Sequence, residues 1–355
     1  MNQLMIYGAS GYTGRLASEH AKLIGLPIVL AGRSEATVAH VATSLNAPYR
    51  VFDLDTPSII KSVLRDASVK VLLNCAGPFE STAEPLIAAC IETGVHYLDI
   101  SAELGSYQLA LDRADAAEKA NVMLLPGCGG SVAMLGCLAA HAIRNMQDPT
   151  HIDVTLRVAG PMSRGSIASA SKSAMAGAQC LQRLGNELVP WGGQEGDGSK
   201  VSAGRQFDFD DGEGPVSCFP ITLPDLVTIW KSTGVATIRT FACVAGSGTM
   251  SFPEDGKMIP DGPTPEERDA TPYHAAVAAA GADGTVKHAV LHTVNGYTFT
   301  AMASVEAARR VLDGEFKAGF QTPALLFGKD FVETVAGSRL VDVKTSGIAL
   351  GSRVN

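Results

Sequence analysis

The sequence lacks closely spaced cysteine pairs. Its seven cysteines stand at positions 75, 90, 128, 137, 180, 218 and 243, and none forms a C-x-x-C. That excludes a zinc knuckle or redox dithiol motif built on such spacing. An odd, scattered set suits reduced thiols, so a cytoplasmic protein is expected. Positive charge is also short: 28 Lys and Arg face 36 Asp and Glu, for a formal net charge of -8. Nucleic-acid affinity comes mainly from Lys and Arg neutralising phosphates, so no nucleic-acid partner is expected. The histidines show no H-E-x-x-H or comparable ligand spacing, and no metal is expected. Met1 leads directly into Met5-Ile6-Tyr7-Gly8, without a basic region and apolar run, so no export signal is expected. The longest apolar stretch, Leu124 to Ile143, is broken by Pro126, Gly127, Gly129, Gly130 and His141. It reads as a strand, a turn and a buried helix rather than a membrane span. No internal repeat or low-complexity tract is visible.

What is present is apolar material in quantity: 46% hydrophobic and 18% charged residues over 355 positions. This is enough for a sizeable core and two domains. The first part alternates short apolar runs with helical patterns, the signature of βαβ units on a parallel sheet. Strands are expected at Leu4 to Tyr7, Ile28 to Ala31, Tyr49 to Phe52, Val69 to Leu73, His96 to Asp99 and Val122 to Leu125. The pattern changes after Asp148-Pro149, so a Rossmann-type domain is expected over 1–148 and a second, α+β domain from 149. In the latter, Ser166 to Leu184 reads as a long helix. Ile152 to Val158, Arg205 to Phe209, Thr237 to Val244, Gly284 to Thr293 and Tyr297 to Ala303 read as strands, with Asn295-Gly296 as a hairpin turn. The stretches Trp191 to Ser199 and Phe252 to Pro265 read as surface loops.

The first strand runs into Gly8-Ala9-Ser10-Gly11-Tyr12-Thr13-Gly14, where a helix begins. Gly8 would allow the tight turn, Gly11 the approach of a pyrophosphate, and Gly14 close packing of the helix on the sheet. The helix N-terminus offers free N–H donors to the phosphates. A triplet of this kind is weak alone; its place between a strand and a helix makes dinucleotide binding the better reading over a packing turn. At the end of the second strand stand Arg33 and Ser34, and no acidic residue occupies the tip. A carboxylate there would bond the ribose 2′-hydroxyl of NAD; a guanidinium can grip the 2′-phosphate of NADP. NADP(H) is therefore expected, the alternative being an arginine at a solvated strand end. Asp53, closing the third strand, is a candidate for the adenine amino group or for a turn.

Ligands of a doubly wound sheet lie beyond the carboxyl ends of the strands. The fourth strand ends there in Asn74-Cys75-Ala76-Gly77-Pro78-Phe79, small residues that suit close approach of the nicotinamide ribose. Cys75 reads as a small thiol beside the cofactor rather than as a nucleophile. The fifth strand brings Tyr97, Asp99 and Glu103, the best acid–base candidates. The competing reading is that Asp99 and Glu103 only cap the next helix and hold its loop.

Several of these stations in order resemble the saccharopine dehydrogenase-like oxidoreductases, which include saccharopine reductases and trans-acting enoyl reductases. They are Gly8 to Arg15, Ala31-Gly32-Arg33, Asn74 to Phe79, Ala89-Cys90, Gly94 to Asp99 and Glu103, with Ala318 to Pro323 and Phe327 to Phe331 near the end. The resemblance implies an NADP(H)-binding Rossmann domain and an inserted substrate and dimerisation domain, here 149–322. It also implies a carboxyl-terminal segment, here 323–355, with a helix returning to the first domain, and a homodimer. The loop Leu125 to Val132 borders the substrate in such proteins, which makes Cys128 a candidate substrate contact; it departs from the family's aromatic and acidic pattern there. Arg164, after Gly160-Pro161, is a candidate for a substrate carboxylate, or else an arginine in solvent. The expected activity is NADP(H)-dependent reduction of a C=N, C=C or C=O bond in a small molecule. The alternative is a cofactor-binding sensor or scaffold without chemistry.

Overall fold

A computed structural model describes residues 3–175, 180–191, 204–245 and 261–343. The first sheet is built from β1 (Gln3–Tyr7), β2 (Ile28–Gly32), β3 (Tyr49–Val51), β4 (Val69–Asn74), β5 (His96–Asp99) and β6 (Met123–Leu125). All are parallel neighbours in the order β6-β5-β4-β1-β2-β3, so the chain reverses direction between β1 and β4. That reversal opens the crevice in which doubly wound folds bind ligands. Apart from β3, which is exposed at the sheet edge, these strands are buried and carry near-continuous apolar runs, which is why the sequence announces them. Ser34 and Thr56 stand at the N-caps of the helices Glu35–Ser44 and Pro57–Asp66, although neither side chain bonds its helix.

The second sheet is larger. It contains β7 (Pro149–Val158), β8 (Leu181–Leu184), β9 (Glu187–Pro190), β10 (Arg205–Phe207), β11 (Val216–Pro220), β12 (Thr237–Val244), β13 (Tyr273–Gly281) and β14 (Val286–Thr293). β7 and β12 are parallel, while the remaining pairings are antiparallel. The helix Gly130–Ile143 and the helix Gly296–Leu312 lie between the two sheets, and one core cluster joins Leu4, Leu135, Val277 and Phe299 through them. Burial of the first helix nearly all round accounts for its membrane-like composition. No helix among the described residues is long and apolar enough to cross a membrane.

Three expectations in this domain are corrected. Tyr297 to Ala303 is not a strand but part of the helix Gly296–Leu312. Asn295 is its N-cap, accepting from the Tyr297 N–H at 3.0 Å, so a residue pair typical of a hairpin turn starts a helix instead. The expected long helix from Ser166 is the shorter Arg164–Met175, and Leu181 to Leu184 is β8; positions 176–179 lie outside the described residues. The loop readings at Trp191 to Ser199 and Phe252 to Pro265 fall largely outside them too, at 192–203 and 246–260.

The chain returns to the first domain upstream of position 323. The helix Gly296–Leu312 packs on the helix Tyr12–Leu23, and β15 (Gly319–Phe320) adds to the first sheet beside β6. Further on, β16 (Arg339–Val343) pairs with β14 and so belongs to the second sheet; 344–355 lie outside the described residues.

Candidate cofactor site and crevice

The cradle begins where β1 ends. Gly8 has φ +82°, a conformation that side-chain-bearing residues rarely adopt, and its N–H bonds the Ala31 carbonyl at 2.8 Å. A Cβ on Gly8 would also lie 2.7 Å from the Ala76 nitrogen, so the loops after β1 and β4 touch here. The Gly11 N–H closes the turn on the Gly8 carbonyl at 3.0 Å, and Gly11 caps the helix Tyr12–Leu23 without a side-chain bond. The first intrahelical bond is Arg15 N–H to Gly11 carbonyl, at 2.9 Å. The N–H groups of Tyr12, Thr13 and Gly14 precede it and are the donors that a helix start offers to an anion.

At the next strand tip, Arg33 and Ser34 are exposed. Burial raises the Tyr7 phenol to about 12, Arg33 opposes the shift, and Asp53 and Asp55 add to it. Arg33 and Asp53 thus both lie within electrostatic reach of the Tyr7 hydroxyl. Asp53 Oδ1 accepts from the Asp55 N–H at 3.1 Å, which is the turn-forming arrangement.

The loop Cys75-Ala76-Gly77-Pro78 is held from beneath. Asn74 Oδ1 accepts from the Ala76 N–H at 3.0 Å, and Thr82 Oγ1 donates to the Ala76 carbonyl at 2.6 Å. Gly77 and Pro78 are joined by a cis peptide. Burial, with the Asp99 charge, pushes the Cys75 thiol far up, so it is no nucleophile.

Tyr97 and Asp99 are 0% exposed. The Tyr97 hydroxyl donates to Asp99 Oδ2 at 2.9 Å, and Asp99 Oδ1 accepts from the N–H groups of Ser101 at 2.9 Å and Gly127 at 2.8 Å. Burial lifts the Asp99 carboxyl to about 6 against the pull of those three bonds. The expected catalytic contact therefore gives way to positioning: the pair ties the turn after β6 to the end of β5. Cys128 is corrected likewise, since it is 0% exposed and cannot reach a substrate from there. Glu103 is only half-buried. Its Oε2 accepts from the Glu80 N–H at 3.0 Å, at the start of the helix Phe79–Thr93, and its Oε1 accepts from Ser169 Oγ of the second domain at 2.9 Å.

The second domain also reaches over the glycine loop, in contacts a sequence reading does not foresee. The Tyr12 hydroxyl donates to the Pro263 carbonyl at 2.5 Å and accepts from Arg268 at 2.7 Å, and its ring meets Tyr297 edge-on at 5.2 Å. Asp261 bridges Arg15 at 2.9 Å and Arg164 at 2.7 Å. Arg164 is thus an exposed arginine engaged by Asp261, in keeping with the solvent alternative. Aromatic and charged residues brought together across some 250 positions leave no local signal.

Residues 4–125 match the family model described as the saccharopine dehydrogenase NADP binding domain. Among curated proteins, a trans-acting enoyl reductase of Mycobacterium leprae is 35% identical over 136 residues, covering 36% of this chain and 32% of that protein. A saccharopine dehydrogenase-like oxidoreductase of Bos taurus is 33% identical over 119 residues, covering 28% and 27%. The chain thus matches about a third or less of these relatives' lengths. Among solved structures, the apo saccharopine dehydrogenase (L-Glu forming) of Saccharomyces cerevisiae aligns with TM-score 0.64 and 12% identity, over 97% of this chain and 100% of that one. The homospermidine synthase of Legionella pneumophila, solved with NAD, aligns with TM-score 0.65 and 12% identity, over 100% and 95%. At such identity these two speak for the fold across both domains, while the closer sequence match and the cradle geometry speak for the first. Over residues 4–125 the chain is similar to the saccharopine dehydrogenase NADP binding domain.

Proposed function

We propose that this protein is an NADP(H)-dependent oxidoreductase that reduces a C=N, C=C or C=O bond of a small molecule held between the two domains. The observation that carries the reading is the glycine cradle, with free helix N–H groups, Arg33 at the next strand tip and the second domain closed over Tyr12. When bound, the cofactor supplies the hydride. The chain's own residues do the rest: Ala76 and Gly77 give a flat floor, Tyr97 and Asp99 fix the turn beside it, and the contacts from 261–268 cover the phosphate end. Glu103, half-buried at the junction of the domains, is the acid best placed to pass a proton toward the crevice.

Arg33→Ser is expected to weaken NADPH binding by about 10- to 100-fold, the weight of one or two charge-assisted bonds, with NADH binding unchanged. Calorimetric titration of both cofactors checks this. An equal loss for the two, or tighter NADH binding by the unaltered protein, would remove the NADP preference from Arg33. Screening imines, enones and ketones for NADPH oxidation tests the activity itself, and silence with every class would favour a cofactor sensor or scaffold.

A further inference from the structure

The face of the second sheet turned away from the helices carries a row of polar side chains that the proposed reaction does not use. Reading directly across the strands, the paired positions are Cys218 on β11, Cys243 on β12, Arg157 on β7, His274 on β13 and His292 on β14. Cys218 and Cys243 continue the antiparallel register set by Phe219 with Ala242 and Pro220 with Phe241. Directly opposed residues of an antiparallel pair point to one face, with Cα atoms about 4.5–5.5 Å apart. That falls inside the separation a disulfide spans, about 4.4–6.8 Å. We propose that Cys218 and Cys243 are a redox modification site, joined by an intramolecular disulfide when the protein meets a hydroperoxide or a small disulfide.

Their surroundings differ from those of the other described cysteines. The two thiols lie within hydrogen-bonding reach of each other, and Thr155 and Arg157 on β7 stand beside them. The bond from Cys243, then Thr155 and the Arg157 charge, outweigh burial and hold Cys218 below its ordinary range, while Cys243 is pushed up. Cys75, Cys90, Cys128 and Cys137 are all pushed up by burial, and the backbone bonds at Cys128 and Cys137 do not offset it. Cys218, on β11 beside the edge strand β10, is the thiol reached first when that edge opens, which makes it the attacking thiolate and Cys243 the resolving thiol.

With a hydroperoxide, the Cys218 thiolate attacks the terminal oxygen, the O–O bond breaks, and protonation releases water or an alcohol, leaving a sulfenic acid. The Cys243 sulfur then attacks the Cys218 sulfur, the S–O bond breaks and water leaves with the Cys243 proton. Two thiols have lost two electrons and the peroxide has gained them. Exposures of 1% for Cys218 and 3% for Cys243 set the rate, because attack waits on local opening of β10 and β11 at the sheet edge. The product would staple β11 to β12 under the cluster of Phe207, Phe209 and Phe241.

Peptide mapping of the full chain after prolonged incubation with excess oxidised glutathione, and separately with hydrogen peroxide, tests this. The expected result is a linked pair of peptides holding positions 218 and 243, a loss of two hydrogens in intact mass, and reversal by dithiothreitol. Cys218→Ser and Cys243→Ser should each abolish the link. Free thiols at both positions after incubation, a link between Cys75 and Cys128 in their place, or independent overoxidation of both would overturn the proposal. The mapping of the unaltered protein decides it even where a variant fails to fold.

Discussion

Gly14→Ala is expected to lower the melting temperature of the cofactor-free protein and to weaken NADPH binding at least about tenfold, or about 1.4 kcal/mol. Gly11→Ala is expected to weaken binding by the same order and leave the cofactor-free melting temperature unchanged. The difference lies in what each new methyl group would meet. At Gly14 it collides with the Gly8 carbonyl oxygen and comes within 2.9 Å of the Gly8 carbonyl carbon and 3.0 Å of the Ala9 Cα, all backbone. Backbone cannot swing aside as a side chain can, so the turn and the helix start must separate. Overpacking of this kind costs about 1–3 kcal/mol, and it displaces the N–H groups that would hold the phosphates. At Gly11 the nearest atom is the Gly8 oxygen at 3.3 Å, the backbone has φ -73° and the position is exposed. The Gly8 carbonyl need give only a few tenths of an ångström to that methyl group, whereas a pyrophosphate approaching the helix end would be held off by it. Thermal melts with and without NADPH, paired with titration calorimetry, separate the two effects. If both substitutions lowered the cofactor-free melting temperature equally, the division of labour between the two glycines would be wrong.

The cradle was legible because its physics is local. A strand, a turn needing positive φ and a helix start occupy consecutive residues, and each leaves its mark within a few positions. Five of the six parallel strands were legible for a similar reason, since burial on both faces demands apolar runs; β3, exposed at the sheet edge, is the exception. The second domain showed some strands, such as Thr237–Val244, and hid other elements. β13 reads Tyr-His-Ala-Ala-Val-Ala-Ala-Ala-Gly, and alanine is depleted in strands; its small side chains pack under the helix Gly130–Ile143 on one face and around Val290 on the other. Tyr297 to Ala303 alternates in polarity, but the helix it belongs to is pressed between two sheets, so its apolar surface is too broad to show a helical stripe. In the crevice, the residue types at 97, 99 and 103 were readable, whereas their roles depended on depth. A sequence does not say that Asp99 is sealed and Glu103 is not. Arg164 was visible as a charge, but its partner Asp261 stands 97 positions away.

Asp225 is the acid that the sequence concealed most completely, and replacing it should have a large, pH-dependent effect on stability. It is the first residue of the helix Asp225–Thr233, where an acid looks like routine dipole matching worth about 0.3–1 kcal/mol. Instead it is 0% exposed and neither carboxylate oxygen has a hydrogen-bond partner among the described side chains and backbone. Burial lifts its carboxyl from 3.8 to about 7, overriding the helix end. A folded-state value above the unfolded one means that the protonated acid is accommodated below pH 3.8, and that stability is lost as pH rises through 7. The full difference corresponds to roughly 4 kcal/mol as an order of magnitude, already present by pH 8. Asp225→Asn keeps the shape and removes the charge. Its stability advantage is therefore expected to grow from a few tenths of a kcal/mol near pH 4 to on the order of 4 kcal/mol at pH 8. Asp99, raised to about 6, tilts the stability of both proteins in the same direction and cancels from the difference. Urea unfolding of the two proteins across that pH range measures the advantage directly. A constant offset at every pH would mean that Asp225 is ionised in the folded protein and finds a partner for its charge.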